Sequence, residues 1–136
     1  MVNDTFDKVP SYEEHKKWKC SDFEIGKPLG EGRFGHVYLA RTRKEKHIVA
    51  LKVLHKQQIV AERMILQLTR EVEIQARLSH PNILKMYNFF WDETKFYLIL
   101  QYAAQGELFS VLRKAGYFSE SVSATVSLNL IILEIV

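Results

Sequence analysis

The sequence predicts an α+β fold, a five-stranded antiparallel sheet with one long helix inserted after the third strand. Short β-branched and aromatic runs broken by glycine fill residues 23–54. The stretch Gln57 to Leu78 then holds neither glycine nor proline and is rich in helix formers. Two more apolar runs follow, joined by Asp92-Glu93-Thr94-Lys95. A single helix within a hairpin-connected run of strands points to an α+β layer and away from a doubly wound parallel sheet.

Each element has its own signal. Phe23-Glu24-Ile25-Gly26 is a first strand leading into a glycine loop, and His36 to Ala40 is a second. Arg41 to Lys46 reads as an exposed turn. Ile48 to Leu54 is apolar throughout except for Lys52, the mark of a strand covered on both faces. In the long helix, Ile65, Leu68 and Val72 recur at three- and four-residue spacing and make one apolar stripe. Pro81 ends it, because the residue before a proline is pushed out of helical geometry. Strands are expected over Ile83–Phe90 and Phe96–Tyr102. After Ala103-Ala104-Gln105-Gly106 the composition turns helical from Glu107 to Lys114, and Gly116 interrupts it. Ser119 is placed to cap another helix with Glu120 in its first turn.

Composition narrows the function classes. A chain of 136 residues with 47% apolar and 26% charged residues can bury a core without disulfides. Cys20 is the only cysteine, so no internal disulfide or multi-cysteine zinc site exists, and a reducing compartment is expected. The net charge of +3 comes from clusters at Lys16, Lys17, Lys19 and at Arg41, Arg43, Lys44, Lys46. Neither is interleaved with aromatics, so no nucleic-acid partner is expected. The start, Met1-Val2-Asn3-Asp4, lacks a signal-peptide pattern. The apolar end Val126 to Val136 carries Asn129 and Glu134 and is shorter than the ~20 residues that span a bilayer.

Gly30-Glu31-Gly32-Arg33-Phe34-Gly35 is a G-x-G-x-x-G loop. Glycine lets backbone N–H groups approach phosphate oxygens closely, but the pattern alone is weak. A dinucleotide fold needs a helix directly after the glycines and an acidic residue about 20 positions on. Here a strand, Val37 to Ala40, follows, and Lys52 comes within Val49-Ala50-Leu51-Lys52. Ala50 and Lys52 share a face by the strand period of two. A lone lysine in an apolar strand is costly unless partnered, and Glu71 in the long helix is the expected partner. The alternative leaves Glu71 on a solvated face with Glu62 and Glu73.

The G-x-G-x-x-G-x-V loop followed by V-A-x-K resembles the protein kinases. Asp22 to Gly30, Arg70-Glu71-Val72-Glu73-Ile74-Gln75, His80-Pro81-Asn82-Ile83-Leu84 and Tyr97 to Ala103 are similar to the Aurora branch of serine/threonine kinases. The resemblance runs from about Trp18 to Thr125. It implies a polar extension over 1–21, an ATP-binding small lobe over 22–103, a hinge exit with the first large-lobe helices over 104–125, and a divergent apolar tail over 126–136. It also implies roles. Leu29, Val37 and Ala50 would enclose adenine, while Gly30, Gly32, Arg33 and Gly35 would form the loop over the phosphates. Lys52, held by Glu71, would bind the α- and β-phosphates. Leu100 would be the gatekeeper, Gln101 and Ala103 would meet adenine through their backbones, and Glu107 would lie near the ribose. Gln101 stands where the family usually has glutamate. Mg-ATP, protein substrates, an activating partner peptide on the small lobe, a mitotic role, and sites in nucleus and cytoplasm (chromosomes, centrosome or spindle) follow from the same resemblance.

The sequence also departs from that family. The H-R-D aspartate and the D-F-G aspartate that binds magnesium are both absent, since none of His15, His36, His47, His55 and His80 is followed by Arg-Asp. Little or no phosphoryl transfer is therefore expected of this chain alone, and no metal-binding residue is assigned. The resemblance decays after Ala124-Thr125, and a divergent end from an alternative transcript or an incomplete gene model is favoured over a tail that covers the small lobe. A non-catalytic nucleotide- or partner-binding fragment is the competing expectation.

Overall fold

The computed structural model describes residues 18–32, 34–104 and 108–126. The expected extension before Trp18 and the apolar tail after Val126 lie outside them. After a short 3-10 turn at Cys20–Asp22 come strands β1 (Phe23–Gly32), β2 (Gly35–Thr42) and β3 (Ile48–His55). Helices α1 (Lys56–Ala61) and α2 (Ile65–Arg77) precede β4 (Met86–Trp91) and β5 (Lys95–Leu100), and α3 (Leu108–Ala115) follows. Residues 120–126 are helical as well. All strand pairs are antiparallel, in the order β1-β2-β3-β5-β4.

Two compact units divide the chain. The first runs to Leu78 and resumes over Lys85–Tyr102, so it holds the whole sheet with α1 and α2. The second comprises Ser79–Leu84 and the chain from Ala103 onward. In the second unit, His80 accepts hydrogen bonds from the Asn82 N–H at Nδ1 and from the Ile83 N–H at its carbonyl, both at 3.1 Å. Ser119 Oγ accepts from the Val122 N–H at 3.4 Å, the capping contact that its position suggested.

In the first unit, β3 is covered on both faces, as its near-unbroken apolar run requires. One face carries Ala50 and Leu54, packed with Phe96, Leu98 and Leu100 of β5 and with Ile59 and Val72 from the two helices. The other carries Val49, Leu51 and Val53 against Phe23, Ala40, Phe90, Tyr97 and Ile99. Phe23 lies on β1 and Phe90 on β4, the two edge strands, yet their rings stack at 5.8 Å and 2°. The sheet therefore coils until its edges meet, an extreme of the ordinary strand twist. Trp18 extends that stack from the Phe23 side at 5.2 Å.

Two polar centres fix the hairpins. Glu24 of β1 takes hydrogen bonds from the Arg41 guanidinium and from Lys46 Nζ at 3.1 Å, and these cations, Arg41 first, hold its carboxyl down to about 2. At the β4–β5 turn, Asp92 Oδ1 accepts from the Thr94 and Lys95 N–H groups at 2.8 and 2.7 Å, and Oδ2 from the Tyr97 hydroxyl at 2.8 Å. Burial pushes the Asp92 carboxyl up, but these donors outweigh it and its pKa falls below the usual value. Burial, followed by the bond to Asp92, pushes the Tyr97 phenol up.

The single long helix is a correction. The chain breaks at Glu62–Met64 into α1 and α2, with Arg63 in the left-handed region at φ 55. All three residues between the helices have side chains compatible with helix, so the break is a backbone event that composition does not show. The left-handed conformation costs an L-residue about 1–2 kcal/mol, while glycine's extra unfolded-state freedom costs about 0.5–1 kcal/mol. Arg63→Gly is therefore expected to stabilise the chain by about 0.5 kcal/mol and to raise Tm by about 2–3 °C in a thermal melt. Arg63→Ala, which keeps the strain, should not; an equal gain from both variants would refute the account.

Candidate nucleotide site

The glycine loop is the tip of the β1–β2 hairpin. Gly30 pairs with Val37, Glu31 with His36, and Gly32 with Gly35. The ladder slips at Pro28, so β1 continues to Gly32 and does not stop at Gly26 as the sequence suggested. Arg33 lies outside the described residues. Phe34 packs against the cluster around Ala50 and Leu54, and its carbonyl accepts the His55 N–H at 3.0 Å. The hairpin tip is thus tied to the end of β3, a contact that no motif announced.

The three glycines serve different ends. A Cβ added to Gly30 would meet nothing within 4 Å, and one at Gly32 would come no closer than 3.8 Å to the Gly35 carbonyl oxygen. A Cβ at Gly35 would fall 1.8 Å from the Val53 carbonyl oxygen. Packing therefore demands glycine at Gly35 only, and open space surrounds Gly30.

Below the hairpin the register aligns the other candidates. Val37, Lys52 and Leu98 sit side by side across β2, β3 and β5, and Leu39, Ala50 and Leu100 form the next row. Directly opposed residues share a sheet face, so Ala50, Lys52 and Leu100 present to the same side. Ala50 and Leu100 are buried, Lys52 and Val37 half-buried, and Leu29 is exposed on β1. The combination is an apolar floor with one ammonium, bordered by a hairpin whose glycine backbone is accessible. Such a surface suits a ligand with a flat apolar part and an anionic part.

Glu71 is not brought to Lys52. It lies on an exposed face of α2, where its Oε1 accepts a hydrogen bond from Gln67 Nε2 at 3.1 Å. Among the described residues no ion pair joins Lys52 to Glu71. The stripe that α2 turns to the core is Ile65, Leu68, Val72 and Ala76, and Glu71 stands beside it. At 100° per residue, Glu71 falls about 100° from Val72, so a rotation of the helix is needed for the pairing that the sequence suggested.

At the end of β5, Gln101 donates its N–H to the Lys85 carbonyl at 2.8 Å, and its side-chain Oε1 accepts the Lys85 N–H at 3.2 Å. Ala103, in the second unit, is exposed, and Glu107 lies outside the described residues. Lys85 was missed by sequence reasoning, since nothing in Leu84-Lys85-Met86 signals a role.

A pocket of about 620 Å³ opens elsewhere, on the opposite sheet face, where Trp18, Thr42, His47, Val49, Tyr87 and Ile99 line it. None of these is a candidate nucleotide residue. Among the described residues no group of three or more His, Cys, Asp or Glu is placed to hold a metal, and no helix is long and apolar enough to cross a membrane.

Comparison with known proteins gives consistent results. The model of the protein kinase domain matches residues 23–133. The serine/threonine-protein kinases Aurora-1 and Aurora-2 of Arabidopsis thaliana are each 58% identical over 110 residues. That match takes in 81% of this chain but only 37% and 39% of those proteins. Aurora kinase B of Danio rerio is 51% identical over 118 residues, covering 87% of this chain and 37% of its own length. The chain thus spans less than two-fifths of the length of these curated relatives.

Proposed function

Because the chain belongs to the protein kinase family, on its Aurora serine/threonine branch, we propose that its glycine hairpin and the Ala50–Lys52–Leu100 surface bind ATP. The observation that carries this is the register placing Ala50, Lys52 and Leu100 on one face beside a hairpin with open space at Gly30. Leu29, Val37 and Ala50 enclose the adenine, and the backbones of Gln101 and Ala103 read its edge. Gly30, Gly32, Arg33 and Gly35 form the loop over the phosphates, Lys52 draws them by charge, and Glu107 meets the ribose. Lys52 serves as a point charge with three donors, suited to bridging two phosphate groups.

The glycine hairpin, the apolar surface and Lys52 suit ATP, while the D-F-G aspartate that would hold its magnesium does not occur in these 136 residues. No step through the metal is therefore assigned to this chain. Without the H-R-D and D-F-G aspartates in these 136 residues, nothing orients a substrate hydroxyl, so we expect nucleotide binding without appreciable transfer. The complete kinase is proposed to phosphorylate Ser/Thr of mitotic protein substrates in nucleus and cytoplasm, at chromosomes, centrosome or spindle, under an activating peptide held on the small lobe. A second reading, a nucleotide- or partner-binding fragment, gains support from the outward Glu71, which leaves Lys52 without the partner that an active kinase gives it.

Titration of the purified chain with a fluorescent ATP analogue tests the proposal. Saturable binding at micromolar concentration, displaced by unlabelled ATP, is expected. No binding below millimolar concentration would overturn it.

A further inference from the structure

We propose that Ser21 is a phosphorylation site, modified by a separate serine kinase that selects acidic residues after its target, and that its phosphate is held by Arg43 with Arg41 and Lys46. Ser21 lies in the 3-10 turn that leads into β1, and it is exposed. Among the described residues its hydroxyl makes no hydrogen bond. A cation is already fastened beside it. Arg43, just past the end of β2, gives its Nε–H to the Ser21 carbonyl at 3.0 Å and its main-chain N–H to the Asp22 carbonyl at 2.8 Å. Of the five side-chain N–H donors of Arg43, only Nε–H is in a hydrogen bond among the described residues, so the rest of the fork is open to phosphate oxygens.

The charge balance of this corner matches a phosphate. Glu24 is shared by Arg41 and Lys46 through hydrogen bonds and by Arg43 at 3.8 Å, three cations on one carboxylate. Lys19, Arg41, Arg43, Lys44 and Lys46 are set against Asp22, Glu24 and Glu45, which leaves two positive charges. A phosphoserine carries about −1.5 to −2 at pH 7. Asp22 repels a phosphate on its neighbour, but its Oδ2 already accepts the Lys19 N–H at 3.0 Å. Asp22 and Glu24 also stand one and three positions after the serine, a charge pattern that suits a kinase with a basic substrate groove. In the step, Ser21 Oγ forms a bond to the γ-phosphorus of ATP, and the bond from that phosphorus to the β–γ bridging oxygen breaks. ADP leaves, and the hydroxyl proton passes to the base of the modifying kinase. The phosphate then ties the lead-in to the turn between β2 and β3. Trp18, stacked on Phe23 at 5.2 Å, is fastened with it as a wall of the pocket that Thr42 and His47 also line.

Treatment of the chain with an acid-directed serine kinase and Mg-ATP, followed by peptide mass spectrometry, tests the site. Phosphate on Ser21 is expected; its absence there, while an acidic control peptide is modified, overturns the proposal. Melting the modified chain tests the receiving cations. Tm should rise by about 3–5 °C at low salt, for one or two charge-assisted hydrogen bonds, and the gain should shrink at high salt. In Arg43→Gln the gain should fall to about 1 °C, and Arg43→Lys, which keeps the charge without the fork, should recover part of it. An equal gain in wild type and Arg43→Gln, or no gain in either, overturns the proposal. Phosphorus NMR reads the contact without a variant, because neighbouring cations favour the dianion. The second ionisation of the phosphoserine, near pH 6 when free, should move down by about half a pH unit in the folded chain relative to the chain in urea. A midpoint that does not move overturns the contact with Arg43, Arg41 and Lys46.

Discussion

Gly35→Ala is expected to destabilise the chain by roughly 3 kcal/mol or more, the range of severe overpacking in a core. The added Cβ would lie 1.8 Å from the Val53 carbonyl oxygen, 2.9 Å from the Val53 carbonyl carbon and 3.1 Å from the Leu54 Cα. All three atoms are backbone, so no side chain can turn aside to relieve the clash. Either β2 parts from β3 at the Gly35–Leu54 pair, or the hairpin tip lifts and breaks the bond from the His55 N–H to the Phe34 carbonyl. Thermal denaturation followed by circular dichroism should show a fall in Tm of roughly 10–20 °C. A Tm within two or three degrees of wild type would show that the approach is looser than the structure has it. Gly30→Ala is the contrast, since its Cβ meets nothing. It should melt within about 1 kcal/mol of wild type, the helix- and strand-interior difference between glycine and alanine.

The pair of variants shows what a motif can and cannot say. The G-x-G-x-x-G pattern marks three positions as equal, yet packing distinguishes one of them, because only Gly35 lies opposite the β3 backbone. Much else was legible. The apolar run Ile48 to Leu54, broken only by Lys52, marked a strand with two covered faces, and its period of two placed Ala50 with Lys52. Asp92-Glu93-Thr94-Lys95 declared a turn through an aspartate able to accept neighbouring N–H groups. The failures share a cause: each depends on backbone conformation or distant contact. The left-handed Arg63 splits a segment whose composition is helical throughout, and β1 runs through Gly26 and Pro28 because its extra residues are taken up as bulges against β2. The meeting of Phe23 with Phe90 joins the two edges of the sheet, and no local pattern reports how far a sheet coils. The direction of Glu71 depends on the rotation of α2, which the apolar stripe fixes only to within a neighbouring residue.

That rotation bears on the role of Lys52. Lys52→Met is expected to weaken binding of the fluorescent ATP analogue roughly 10- to 100-fold, the value of a charge-assisted bond to an anion. Methionine preserves the aliphatic stem between Val37 and Leu98, so the sheet should keep its Tm and the loss should lie in the charge alone. The wild-type affinity should also fall with added salt more steeply than that of the variant, because a contact between phosphate and a half-buried ammonium is partly screened. Glu71→Gln separates two states of the site. With Glu71 turned outward, its charge orients Lys52 little, and the variant should weaken binding at most about fivefold, as for an exposed pair. If Glu71→Gln instead lost as much as Lys52→Met, α2 would have to rotate on nucleotide binding and close the pair. Equal affinity in Lys52→Met and wild type would remove the lysine from the phosphate site altogether, and with it the chemical reason for a cation in an otherwise apolar strand.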